Sequence, residues 1–321
     1  MRTRLSFLLL ALLAAATAVG AETFPAHTIK IVVPYAPGGA GDVIARIVSQ
    51  RFSSEAGVSV VVENKPGGNG MIGAQLVASA PPDGYTVLLG NTTEMVVSPY
   101  LVKSPSYETQ RDFRPIAIAG YLPQLLVASP LIKAATFEEF IALARAEPGR
   151  YSYATAGTGS TAHIAGAMLE RLAGIKLLSV PYKGGAQAVT DVLAGNVNIY
   201  FSGIPPAIGH VKTGKLVALG IAGTRPVASL PNVPTLAAGQ YARLDLTAWF
   251  GFFVPRETPN NVAAYLHATL RRILDAPEVQ ARLVEVGVEP GSMTAQQFEQ
   301  FVGSERRKYG AFLSELGIQA E

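Results

Sequence analysis

The sequence predicts a two-lobed α/β fold with a ligand cleft between the lobes. Three observations predict it. A strand, loop, helix, strand, loop, helix, strand order occurs twice with similar length. Each copy opens with a glycine-rich loop between its first strand and first helix. Two short apolar runs flank the second copy, as chain crossings between lobes would. At 321 residues the chain is long enough for two domains.

The first copy begins with a strand at residues 29–34, a glycine loop at 35–41 and a helix at 42–54. A strand at 58–63 follows, then Lys65, Pro66, Gly67 and Gly68, a helical stretch to Ala78 and a strand at 85–90. The second copy has a strand at 151–155, the loop 156–160, a helix at 162–173 and a strand at 176–181. Tyr182, Lys183, Gly184 and Gly185 then lead into a helix to Leu193 and a strand at 196–201. Right-handed crossovers between such strands give a mostly parallel sheet per lobe, with the glycine loops at the carboxyl edges where ligands bind.

Residues 113–119 and 248–254 are the expected crossing strands. Thr136 with Glu139 forms a capping box for a helix through Ala146. Thr258 and Pro259 start another helix, with proline in its first turn, and Thr294 with Gln297 starts a last one to about Leu316. The proline-rich stretch 224–235 reads as a surface loop. Residues after about 247 return to the first lobe, which is therefore discontinuous: 22–120 plus 247–321, with the second lobe at 121–246.

Residues 1–21 carry Arg2 and Arg4, an apolar run, then Val19, Gly20 and Ala21, the pattern of a cleaved signal peptide. The run, about fourteen residues, falls short of the ~20 that a membrane span needs. The expected mature chain starts near Glu22, is soluble and is exported to the periplasm. There is no cysteine, so disulfides, a lipid-anchoring cysteine and thiolate metal sites are excluded. Removing Arg2 and Arg4 takes the formal charge from +3 down by two, to +1. That balance gives no case for nucleic acid or an anionic membrane surface.

Glycines between a strand and a helix N-terminus let backbone N–H groups point outward together, a recipe for gripping an anion. A dinucleotide phosphate and a small carboxylate both fit that description. For a nucleotide enzyme speaks Glu63, about twenty residues after the first loop, where a ribose-binding acid would sit. Against it, Ile44 takes the third glycine position of G-x-G-x-x-G counted from Gly39, and export removes the protein from the nicotinamide pool. G-x-S-x-G is absent, and His27, His163, His210 and His267 lie far apart, so neither a hydrolase nor a metal site is indicated.

The stretches VVPYAPGGAGD, VVVENKPGGNGMIGA, PPDGYTVLLG, YATAGTGSTAHIAG, VPYKGGAQAVTDVLAGNV, LPNVPTLAAG and AWFGFFVP resemble the Bug family. These are the TctC-like extracytoplasmic receptors of tripartite tricarboxylate transporters. The similarity covers nearly the whole mature chain in order. It implies a type II-like periplasmic-binding-protein fold, and no enzyme, cofactor or metal. The implied receptor is a monomer that traps a small carboxylate on backbone N–H groups of two facing loops, often through water. The implied partners are membrane permease subunits, or in a sensing role a membrane sensor.

Carried over, the first loop contributes Tyr35, Gly38, Gly39, Ala40 and Asp42, and the second Thr155, Gly157, Thr158, Gly159, Ser160, Thr161 and His163. Tyr182 and Ser202 complete the candidate ligand-binding set. The family commonly has two threonines where this chain has Ala40 and Gly41, so backbone must do more of the binding. Many relatives carry aspartate where Ser202 stands, so a ligand without an amino group is expected. Neither loop contains lysine or arginine; helix N-termini, each worth about half a positive charge, supply the potential instead.

Each candidate also has a structural reading. Gly38, Gly39 and Gly41 suit a tight turn, and Asp42 suits helix capping, supported by Arg46 one turn later. His163 either donates to the ligand or fixes its loop. Tyr35 and Tyr182 either wall the pocket or pack beside it. For Ser160 and Thr161, capping and ligand binding use the same geometry. Lys183 reads as solvated, and Trp249 as hinge-region core.

Overall fold

A computed structural model describes residues 24–157, 159–224 and 226–318. The expected signal peptide and Thr158 lie outside the described residues. Strand β1 (Ile29–Val33) leads through the first glycine loop into helix α1 (Ala40–Ala56), strand β2 (Val60–Asn64), helix α2 (Met71–Ala78) and strand β3 (Thr86–Asn91). β1 pairs in parallel with both β2 and β3, so Ile31 lies beside Val62 and Val87. Helix α1 ends at Gly57 in the left-handed conformation, where the absence of a Cβ removes the usual penalty.

After β3 a buried turn of π-helix, Thr93–Val97, precedes β4 (Phe113–Leu122). Only Pro123 separates β4 from β5 (Gln124–Ala128), and the chain changes sheet there. The second lobe adds helix α3 (Phe137–Ala146), which carries the expected Thr136–Glu139 capping box. It continues with β6 (Ser152–Thr155), α4 (Thr161–Ala173), β7 (Leu178–Pro181), α5 (Gly185–Ala194) and β8 (Ile199–Gly203). Helix α6 (Ile204–Lys212) and β9 (Val217–Ala222) complete it.

The return crossing is β10 (Ala248–Pro255), which inserts antiparallel between β3 and β4. Helices α7 (Asn260–Asp275) and α8 (Pro277–Glu285), the short β11 (Glu289–Pro290) and α9 (Ala295–Glu315) follow. The sheets run β11-β4-β10-β3-β1-β2 and β7-β6-β8-β5-β9. Both are mixed rather than mostly parallel. The parallel part of each is the repeated unit, and strands arriving from the other lobe add antiparallel ladders beside it.

Ala248 lies opposite Leu122 in the first sheet, while Gln124 lies opposite both Gly203 and Ala222 in the second. The two crossings therefore run side by side, which gives the lobes a narrow common hinge. Trp249 is fully buried there, as expected, donating from Nε1 to Glu305 Oε2 at 3.2 Å. Its ring and that of Phe253 pack on Phe298 of α9 with centroids 5.7 and 5.2 Å apart, contacts worth about 0.5–1.5 kcal/mol each beyond area burial. At α7 the expectation needs correction. Pro259 sits at the cap rather than in the first turn, and buried Thr258 makes no capping bond.

Candidate functional site

The first glycine loop is held by Asp42 at the third position of α1. Its Oδ2 accepts from the Gly38 N–H and from Arg46 Nε, each at 3.0 Å. Burial alone would raise this carboxyl, but the bonds from Arg46 and Gly38 outweigh it and hold it below the usual range. Asp42 is thus an ionised loop clamp, and it does not line the cleft. The opening N–H groups of α1, at Ala40 and Gly41, have no intrahelical partner by the geometry of a helix start.

The second loop is held in the same way by Ser160, the cap of α4. Its Oγ accepts from the N–H groups of Ala156 and His163, each at 3.2 Å. Buried Thr155 accepts the Gly157 N–H on Oγ1 at 3.1 Å. His163 Nδ1 accepts the Gly159 N–H at 2.9 Å, so the neutral ring carries its proton on Nε2. Burial depresses the His163 pKa and favours that neutral form. The N–H groups of Gly38, Gly157 and Gly159 are therefore committed inside their own loops. Those of Thr161 and Ala162, at the start of α4, are the open donors on this side.

Both helix starts face one cavity between the lobes, about 650 Å³ including its open mouth. Gly39, Ala40 and Gly41 approach from one side, and Ser160, Thr161 and Ala162 from the other. Leu122, Ala248 and Phe250 close the hinge end, Tyr200 and Pro206 form an apolar wall, and Asn91, Thr93 and Gln124 are the neutral polar groups. Among the described residues, no aspartate, glutamate, lysine, arginine or histidine lines it. A wider outer cavity, about 1030 Å³ with its solvent, shares Tyr35 and Ala156 with the inner one. Gly67, Gly68, Gly157, Tyr182 and Lys183 line this mouth.

The lobes touch across the mouth on glycines. A Cβ on Gly38 would lie 3.3 Å from Ala186 Cβ, and one on Gly184 would lie 3.2 Å from Ala36 Cβ. A Cβ on Gly157 would collide with the Asn69 side chain, and one on Gly159 with that of Leu101. Both glycines also have positive φ, +106° and +75°, which disfavours any side chain.

Of the expected residues, Tyr35, Gly39, Ala40, Ser160 and Thr161 line the inner cavity, and Gly157 and Tyr182 the outer one. Tyr182 donates its hydroxyl to Asp191 at 2.8 Å. Gly38, Asp42, Thr155, Gly159 and His163 shape the loops without lining either cavity. Ser202 is a correction: it is fully buried, and its hydroxyl donates to the Gly203 carbonyl at 2.6 Å. Glu63, the acid that favoured a nucleotide, pairs with Lys30 at 3.4 Å and Lys65 at 3.6 Å and lines neither cavity.

Sequence reasoning missed Asn91, Thr93, Gln124, Tyr200 and Phe250. Asn91 ends the third strand of the first unit, at the same carboxyl edge as the glycine loop, so the topology that located the loops also pointed to it. Gln124 and Phe250 sit on the hinge crossings, which a sequence reading takes for core.

The family profile described as "Tripartite tricarboxylate transporter family receptor" (TctC) matches residues 44–318. A Pseudomonas sp. (strain P51) protein, described as the UPF0065 protein in the tcbD-tcbE intergenic region, is 34% identical over 93% of this chain and 89% of its own. The solved periplasmic binding protein BugD superposes with a TM-score of 0.89 at 29% identity, over 93% of this chain and all of that one. An R. palustris protein solved with adipate gives 0.90 at 27% identity, again over 93% of this chain and all of that one. The fold is thus that of a two-lobed periplasmic binding protein. The chain belongs to the TctC family of tripartite tricarboxylate transporter receptors, and it is a solute-binding receptor rather than an enzyme.

Proposed function

We propose that this receptor captures a small organic carboxylate lacking an amino group by closing its two lobes around it in the periplasm. The loaded form then delivers the solute to the permease subunits of a tripartite tricarboxylate-type transporter. One observation carries this reading: two helix N-termini from opposite lobes converge on a cavity with no charged side chain among its described lining residues. Each terminus offers open N–H donors and about half a positive charge, so an anion is favoured without a cation. An ammonium would find no anionic partner there, and an unpaired buried charge is costly.

The lobes proposed are 22–120 with 247–321, and 121–246, working as a monomer exported by the leader at 1–21. Supporting this division, the sheet changes at Pro123 and changes back before Ala248. No helix among the described residues is long and apolar enough to cross a membrane. The ligand meets one loop first, and its second set of contacts forms only when the other lobe swings in, so binding favours the closed form. The adipate seen in the R. palustris neighbour supports the ligand class.

A thermal-shift screen of mono-, di- and tricarboxylates, with their α-amino counterparts and amides as contrast sets, tests the reading. A plain acid at 100 times its dissociation constant adds about 2.7 kcal/mol of stability. Amides stabilising as strongly as acids, or amino acids more strongly, would contradict it.

A further inference from the structure

Behind the cavity wall lies a carboxyl that the capture mechanism leaves unused. Glu94, in the π-helical turn Thr93–Val97, is 0% exposed. Its Oε1 accepts the Asn91 N–H at 2.5 Å, and its Oε2 lies 3.0 Å from the Tyr35 hydroxyl. Tyr35, Asn91 and Thr93 all line the inner cavity. The same Tyr35 hydroxyl lies 3.2 Å from the Asn69 carbonyl, and the Asn69 side chain abuts Gly157 of the opposite lobe. A buried acid is thereby connected through one tyrosine to both the ligand cavity and a contact between the lobes.

Among the described residues, the elements around Glu94 bring no cation to it. Helix α2, strand β3 and the turn Gly68–Gly70 contain no ionisable side chain. Tyr107 donates its hydroxyl to the Glu94 main-chain carbonyl at 2.5 Å, and Tyr100 is 41% exposed beneath Arg306. On α9, Glu305 is engaged with Trp249 and Lys308, and Arg306 with Glu108 and Gln110. Burial accordingly pushes the Glu94 carboxyl up to about 8, against the lowering effect of its hydrogen bonds.

Tyr35 can be held in two ways. With Glu94 ionised, the tyrosine donates to Oε2. With Glu94 protonated, the acid donates to the tyrosine oxygen, and the tyrosine proton turns to the Asn69 carbonyl. A ligand carboxylate arriving beside Tyr35 and Asn91 disfavours a second negative charge behind them. We propose that Glu94 is a positioning residue that couples carboxylate capture to uptake of one proton, so that the receptor binds its anion and a proton together. The inference rests on the carboxylate reading of the cavity and adds to it a pH dependence that backbone N–H donors alone do not produce.

The test uses the full chain with acetate as the probe. Glutamate side chains labelled with carbon-13 report the ligand-free titration, and calorimetry in two buffers of different ionisation enthalpy counts protons taken up. The expected wild-type midpoint of Glu94 lies near 8. Above that midpoint acetate affinity falls by up to tenfold per pH unit, with net proton uptake. In Glu94→Gln, whose amide mimics the protonated acid, affinity is flat with pH and uptake is lost. Tyr35→Phe removes the donor that stabilises the ionised form, so the Glu94 midpoint rises, a shift that a purely structural role for the tyrosine would not produce.

A Glu94 midpoint in the ordinary glutamate range overturns the inference. So does pH-independent acetate binding in the wild type, or an unchanged pH slope in Glu94→Gln; in either case the carboxylate reading stands. Where acetate does not saturate the wild type, the tightest acid of the carboxylate screen takes its place; failure of every acid in that screen to bind contradicts the carboxylate reading itself, and this inference with it.

Discussion

Gly159→Ala separates the folding role of the second loop from its role in closure. Gly159 has φ +75°, and its N–H is bound by His163, so the loop conformation is fixed whatever the lobes are doing. An alanine there costs about 1–2 kcal/mol of stability from the left-handed backbone. A Cβ at 159 would also fall within the side chain of Leu101, a first-lobe residue that meets the loop when the lobes touch. That overlap is paid only on closure, and overpacking of this kind costs about 1–3 kcal/mol, equivalent to roughly 5- to 150-fold in affinity. Calorimetry with the tightest carboxylate from the screen reads the closure term, and denaturant unfolding without ligand reads the backbone term. Adding Leu101→Ala to Gly159→Ala makes room for the methyl group. It restores much of the affinity while leaving the backbone strain in place. An unchanged affinity in Gly159→Ala, or no rescue by Leu101→Ala, would refute closure through this contact.

Three further predictions follow from the same geometry. Ala40→Asp places a carboxylate at the first position of α1, where it suits the helix dipole and leaves stability unchanged or raised, yet it faces the ligand. At ~4 Å and an effective dielectric of ~20 the repulsion is about 4 kcal/mol, so carboxylate affinity should fall by up to roughly 1000-fold in calorimetry. Because burial lowers the His163 pKa, the folded state prefers the neutral ring. Its contribution is complete above the ordinary value of 6.5 and is lost as pH falls below it towards the depressed folded value; His163→Ala removes that part of the acid dependence in thermal unfolding. Thr136→Ala breaks the α3 capping box at a cost of about 1 kcal/mol in denaturant unfolding, with affinity unchanged because α3 is remote from the cavity.

What the sequence revealed was local chemistry repeated at a distance. The two strand–glycine–helix loops, the capping boxes at Thr136 and Thr294, and the Asp42–Arg46 pair all depend on residues a turn or two apart, and all appear in the structure. The strands β5 and β9 were missed because their apolar runs lack alternation; β5 is internal to the second sheet, and β9, at its edge, is covered by the stretch 234–236. Gly157 and Gly159 were carried over as ligand-binding residues of the second loop. Their tight space in fact faces Asn69 and Leu101, contacts that only the apposition of lobes creates. Ser202 was placed in the candidate set by the resemblance, just past a strand read as ending at residue 201. The strand instead continues to Gly203, and the cavity touches Tyr200 and Gly203 while passing over Ser202. Glu94 carried no sequence signal, since its significance comes from burial beside Tyr35.

The central claim is that one carboxylate is held between two helix N-termini from opposite lobes. A crystal structure of the receptor with the tightest carboxylate from the screen tests it most directly. Carboxylate oxygens are expected about 2.7–3.2 Å, directly or through one water, from N–H groups at the start of α1 and also from those at the start of α4. A carboxylate bound to one lobe alone with the cleft closed, or anchored on Lys183 at the mouth and away from both helix starts, would contradict it.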